Sequence, residues 1–262
     1  GIRYYEFRSV RMTRMLKRMS MSVLALLALV PAHASAHQPR IVTHGPVEVL
    51  QPEVSKAFYG ELAGVPVEYR IRSEREFRLY VGLLVPDIPG ARKDISADIY
   101  RVTGTGREPV AFLDATQSDW TPFFEGFAGN TYFWGPEFKA DDSPKGAAHK
   151  GRTVPAGTYV INVFSPSNRG KYSLAIGDLE SFPLKEIFNV AVTVPQVKRR
   201  FFGESWTSIL ASRFMLILEA ITIGLTALVA WILRRVYLRL RSPRPTRSRA
   251  AVRLRSCIRR PS

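Results

Sequence analysis

The 262-residue chain has a single cysteine, Cys257, close to its end. No disulfide can form within it, so any domain ahead of that position must be stable through its core alone. Histidine is scarce too, limited to His33, His37, His44 and His149. With no G-x-S-x-G elbow, no H-E-x-x-H pair and no second cysteine, nothing in the chain proposes a catalytic centre, and the expectation is a protein that is not an enzyme. Acidic residues are missing from 234–262, where eleven arginines stand. Long apolar runs are missing everywhere except at two places.

The net charge of +16 would suggest nucleic acid if it were spread over a soluble surface. It is confined to the ends. Residues 1–20 hold six basic side chains against Glu6, and the arginine tail supplies eleven more charges, which leaves 21–233 neutral. The tail is short and interleaved with Pro and Ser, so anionic lipid headgroups are its expected partner and nucleic acid is not.

Each charged end adjoins an apolar segment. Val23–Val30 is too short to cross a bilayer, but basic residues precede it, Pro31 breaks it, and Ala32-His33-Ala34-Ser35-Ala36 follows. This is the form of a signal peptide, 1–36, with His37 as the expected mature N-terminus. Gly1 is not an initiator, and Met12, Met15 or Met19 each offers a start. Phe214–Leu233 runs twenty residues without Lys or Arg, about 30 Å as a helix, and Arg234 and Arg235 follow at once. A transmembrane helix at 213–233 and a cytoplasmic tail at 234–262 make a single-pass protein of the bacterial cytoplasmic membrane, with its N-terminus outside.

The remainder, 37–180, reads as a mainly β extracytoplasmic domain. Val67–Arg72 and Phe77–Leu83 alternate apolar with polar residues, and Ile95–Val102, Val110–Leu113, Tyr159–Phe164 and Tyr172–Ile176 add further strands. The last two are expected to form a hairpin across the turn-rich Ser165–Gly170. Trp120–Lys139 matches neither period and is expected to be a structured loop with a helical turn near Pro122–Phe127. Ala140–Thr153 reads as a flexible connection. In 181–212, Ser181 is an expected helix cap, and Ile187, Val190, Val194, Val197 and Phe201 recur at helical spacing among Lys185, Lys198, Arg199 and Arg200. This juxtamembrane amphipathic helix is expected on the outer lipid surface, with packing against the sandwich as the alternative.

Val154–Phe182, VPAGTYVINVFSPSNRGKYSLAIGDLESF, resembles the end of the jelly-roll modules of the pre-peptidase C-terminal type attached to secreted bacterial peptidases. The resemblance implies a jelly-roll-like β-sandwich, with these two strands forming one of its edges, and an accessory binding role. His37–Arg40, Val85–Gly90 and Gly135–Phe138, together with the terminal apolar helix, resemble a group of single-pass bacterial envelope proteins over most of 37–212. No peptidase accompanies this module, and the shared motifs name no chemistry.

Three sets of site residues follow. A mature N-terminal His37 could chelate copper through its α-amine and imidazole with His44 or His149 as the further ligand, whereas the plainer reading is an ordinary N-terminus and no cofactor. Trp120 and Trp134, from a stretch too aromatic to be wholly exposed, are the expected ligand-stacking rings if any stand outside the core. Ser212, Glu219, Thr222 and Thr226 fall on one helical face and are expected to mediate self-association or a protein partner, Glu219 being costly against lipid.

Overall fold

The computed structural model describes residues 37–126, 128–141, 143, 150–181 and 183–241. The expected signal peptide and most of the arginine tail lie outside them. Two compact units are distinguished, one ending at Leu218 and one beginning at Glu219.

The first unit is built from thirteen strands: β1 (Gln38–Ile41), β2 (Val47–Glu48), β3 (Lys56–Ala63), β4 (Val67–Ser73), β5 (Phe77–Leu79), β6 (Val81–Pro86), β7 (Ser96–Thr103), β8 (Gly106–Leu113), β9 (Thr121–Glu125), β10 (Asn130–Phe138), β11 (Arg152–Val154), β12 (Gly157–Phe164) and β13 (Arg169–Ile176). One sheet has six strands in the order β1-β3-β13-β6-β10-β9, another has five in the order β2-β4-β12-β7-β8, and β11 pairs with β5. Both large sheets contribute to one core. Phe58, Leu83, Tyr172 and Leu174 from the six-stranded sheet meet Tyr69, Ile71, Ile99, Tyr159 and Ile161 from the five-stranded one. At its centre the Tyr69 and Tyr172 hydroxyls bond to each other at 2.9 Å, satisfying two buried polar groups across the sandwich.

The expected hairpin between β12 and β13 does not form. β12 lies between β4 and β7 in one sheet, whereas β13 lies between β3 and β6 in the other. The turn at Ser165–Asn168 therefore carries the chain from sheet to sheet, and both strands are central, not the edge that the resemblance implied. Alternation gives each strand one apolar face, and that face meets the core equally well beside its neighbour or across from it.

Trp120–Lys139 is a hairpin of β9 and β10, not a loop with a helical turn. Its alternation is hidden because β10 carries apolar side chains on both faces and β9 adds the exposed Phe124. Phe133 and Phe138 face the inter-sheet core, while Tyr132, Trp134 and Phe123 join a second cluster on the outer side, together with Tyr80, Leu84, Val197 and Phe201. Pro122 is tolerated because β9 is an edge strand.

After the sandwich come α1 (Leu184–Gln196), a π-helical turn (Val197–Phe201), α2 (Trp206–Leu210) and α3 (Arg213–Arg241). Ser181 does not cap α1. Its carbonyl accepts from Gln38 Nε2 at 2.6 Å, and Pro183 stands at the cap. Val190, Val194, Val197 and Phe201 are buried, so the inner side of the juxtamembrane stripe packs on the sandwich. The single helix α3 includes Phe214–Leu238, long and apolar enough to cross a membrane and with none of its span buried. It continues past Arg234 and Arg235 because nothing breaks a helix before Pro243. Arg235 lies over the Trp231 ring at 5.1 Å and Arg241 over Tyr237 at 5.7 Å.

Candidate functional site

The densest buried charge among the described residues sits on the outer face of the six-stranded sheet, and a bulge builds it. Trp134 and Glu137 are three residues apart and would point to opposite faces of a regular strand. An extra residue between them in the pairing of β10 with β6 turns both outward. The bulge contains Gly135, whose missing side chain leaves room for the Trp120 ring. On the facing strand a side chain at Gly82 would collide with the Tyr80 hydroxyl, which crosses that position to donate to Glu137 Oε1 at 2.6 Å.

Lys150 completes the centre. Its ammonium donates to Glu137 Oε1 at 3.2 Å and lies 4.1 Å from the Tyr80 ring centroid and 4.6 Å from that of Trp134. The side chains of Glu137 and Lys150 are only 6% and 8% exposed. Lys139 approaches Glu137 Oε2 at 3.8 Å. Burial lowers the Lys150 pKa, with Glu137 opposing, and burial together with the Glu137 charge raises that of Tyr80 well above its usual value. Next to it, Asp178 accepts from the Gly151 amide at 2.8 Å and faces Arg78 at 3.6 Å. The chain entering β11 is thus held at Lys150 and Gly151. Chemically, the centre is a buried ion pair with an aromatic-capped cation, and its carboxylate is committed to two donors, Tyr80 and Lys150.

A cleft of about 760 Å³ lies between α1, β1 and the segment leading into β2. Arg40 spans it with a two-pronged pair to Glu186, at 2.9 and 3.0 Å. Lys56 sits in its wall and donates to the Gln51 and Val54 carbonyls. Burial first, then Arg40, pushes the Lys56 amine down to about 8.

Of the predicted copper residues, His37 and His44 lie at opposite ends of β1. His37 Nδ1 bonds to the Ser55 hydroxyl, and burial, then the Lys150 charge, lowers its pKa to about 4. His44 is exposed beyond β1, whose four residues alone rise about 13 Å, and its Nδ1 contacts Thr43 Oγ1 at 2.9 Å. His149 lies outside the described residues. Among the described residues no three metal-ligating side chains cluster.

The His37 environment has a consequence for acid stability. A folded pKa of about 4 against 6.5 means that the unfolded chain takes up the proton first, so stability falls as pH drops from about 6.5 to 4. Denaturation followed across that range should show a loss on the order of 2–3 kcal/mol that His37→Gln removes. Parallel pH profiles for the two proteins would refute the assignment.

Trp120 and Trp134 are both half-buried. The Trp120 indole donates to the Ala115 carbonyl at 3.1 Å, and Trp134 stands edge-on to Phe123 at 4.8 Å beneath Lys150. The Trp134 Nε1 is buried without a hydrogen-bond acceptor. The open aromatic surface lies at other residues: Phe124 in β9 is 62% exposed, and Phe112, 55% exposed, stacks on Phe164 at 6.4 Å on the outside of the five-stranded sheet. Of the helix residues, Ser212 precedes α3 and donates to the Ile209 carbonyl at 2.6 Å, and Thr226 donates to the Thr222 carbonyl at 2.8 Å. Thr222 and Glu219 are both exposed.

No family model matches the chain, and no curated protein matches it. Among solved structures it is similar to the pre-peptidase C-terminal domain of a collagenase from Bacillus anthracis, at 10% identity and a TM-score of 0.27, covering 54% of this chain and 95% of that one. It is similar also to CorA, a surface-associated copper-binding protein of Methylomicrobium album BG8, at 10% identity and a TM-score of 0.18, covering 51% of this chain and 81% of that one.

Proposed function

We propose that this chain is a non-enzymatic, single-pass envelope protein whose jelly-roll-like β-sandwich is displayed outside the cytoplasmic membrane as an interaction domain. The observation that carries this reading is the 25-residue apolar span Phe214–Leu238, none of it buried, which lies C-terminal to a folded β domain and its short helices. A helix this long and predominantly apolar, with no protein cover, has lipid as its natural solvent. The arginines from Arg234 onward favour the cytoplasmic side for its C-terminal end. The jelly-roll aspect is supported by successive strands such as β3 and β4, β6 and β7, or β12 and β13 lying in different sheets. The exposed Phe112–Phe164 pair is the surface on which a partner would find flat apolar area at small entropy cost. Glu219 is the group in the helix that a second helix would satisfy.

Fusions test the topology. An enzyme reporter that works only in the cytoplasm should be active when placed after Ser262, and one that works only outside should be active when placed near Gly177. The opposite pattern would reject the reading.

A further inference from the structure

The juxtamembrane helix α1 has more apolar surface than the sandwich covers. At about 100° per residue, its apolar residues Leu184, Ile187, Phe188, Val190, Val192 and Val194 sweep an arc of about 200°, of which Val190 and Val194 occupy about 40°. Those two are buried at 5% exposure each. The rest point away from the domain: Leu184 is 76% exposed, Ile187 53%, Phe188 74% and Val192 61%. Trp206 and Leu210, one turn apart on α2, are 58% and 50% exposed. Four large apolar side chains adjoining on one helix are not the scattered single residues that soluble surfaces ordinarily carry.

The charges around this stripe have one predominant sign. Lys185, Arg199 and Arg200 are exposed, whereas Glu186 is paired with Arg40 and Glu204 with Lys198. Glu180 is the exposed acid nearby. An apolar stripe, exposed basic residues and a tryptophan in one segment, with a membrane-length helix downstream, match the chemistry of one surface.

We infer that α1 is a two-sided wedge, its Val190–Val194 side on the sandwich and its Leu184–Ile187–Phe188–Val192 side inserted among the headgroups of an anionic bilayer, so that the domain lies against the membrane in one orientation. The inference rests on the reading of α3 as a membrane span. Apolar burial supplies the insertion, and the three exposed cations favour anionic lipid.

The test is spin labelling of the full chain in lipid nanodiscs containing phosphatidylglycerol, in a Cys257→Ser background. Nitroxides are placed through Phe188→Cys on the stripe, Leu225→Cys in α3 and Thr105→Cys in the β7–β8 turn as an aqueous reference. Phe188 and Thr105 are exposed positions, so the labels leave the core intact. The label at 188 should be severalfold more accessible to oxygen than to a water-soluble nickel chelate, relative to that at 105. Aqueous behaviour at 188 with lipid behaviour at 225 would overturn the wedge and leave the anchor standing. Protection of 188 from both reagents would show a protein covering the stripe and also overturn it. Aqueous behaviour at 225 would remove the anchor reading itself.

Discussion

Lys150→Met should lower the stability of the β domain by about 3–5 kcal/mol, because it leaves the Glu137 carboxylate buried without its cation. The side chains are 8% and 6% exposed, so water does not replace the lost partner. Lys139 at 3.8 Å is the nearest substitute, too distant for a hydrogen bond. For a domain of this size the loss corresponds to a fall of roughly 10 °C in the thermal midpoint. Trp134, 4.6 Å from the ammonium, supplies the fluorescence readout. Adding Glu137→Gln to Lys150→Met should recover most of the loss, since a neutral amide oxygen still accepts from Tyr80. A wild-type midpoint in the single variant, or no recovery in the double, would show that the pair does not fix the chain entering β11.

Phe201→Ala should cost a similar amount, about 3–5 kcal/mol, but locally. Phe201 is 6% exposed and packs edge-on against Tyr59 at 5.2 Å and Phe202 at 5.3 Å. Its carbonyl and that of Arg200 accept from Lys171 at 2.9 and 3.0 Å, tying the π-helical turn to β13. Removing the ring should release this turn while the sandwich stays folded. Tryptic cleavage at Lys198, Arg199 or Arg200 should then rise about a hundredfold or more, because cleavage tracks the open population. Phe188→Ala, on the exposed side of α1, should leave that cleavage unchanged. Equal rates in all three proteins would mean that Phe201 does not hold the segment to the sheet.

Strand after strand was visible in the alternation of residues such as Val67–Arg72 and Phe77–Leu83, because half-burial imposes a period of two. The latter run is broken at Tyr80, yet Phe77, Leu79, Val81 and Leu83 all reach the one core as their spacing predicts. Alternation was silent where both faces of a strand carry apolar side chains. Trp120–Phe138 was therefore unreadable as a hairpin, and the buried Glu137–Lys150 pair went unseen. Nothing in the local pattern marks Glu137 as buried, since its environment comes from a bulge in its own strand, a tyrosine 57 residues away and a lysine 13 residues on.

Properties that depend on composition over a stretch of chain follow from the residues themselves. The neutral middle, the two basic ends, the absence of any disulfide and an apolar helix of membrane length are sums over neighbours in sequence, and folding does not alter them. Pairing is different in kind. β12 and β13 could have met as a hairpin with the same turn and the same apolar faces, and the choice to place them in opposite sheets is settled by which arrangement lets Tyr69 reach Tyr172 and closes the core from both sides. The division of α1 into a covered side and an open one has the same origin. One continuous apolar arc is written in its residues, and only the extent of the sheet beneath it determines that Val190 and Val194 are buried while Phe188 is left for another surface.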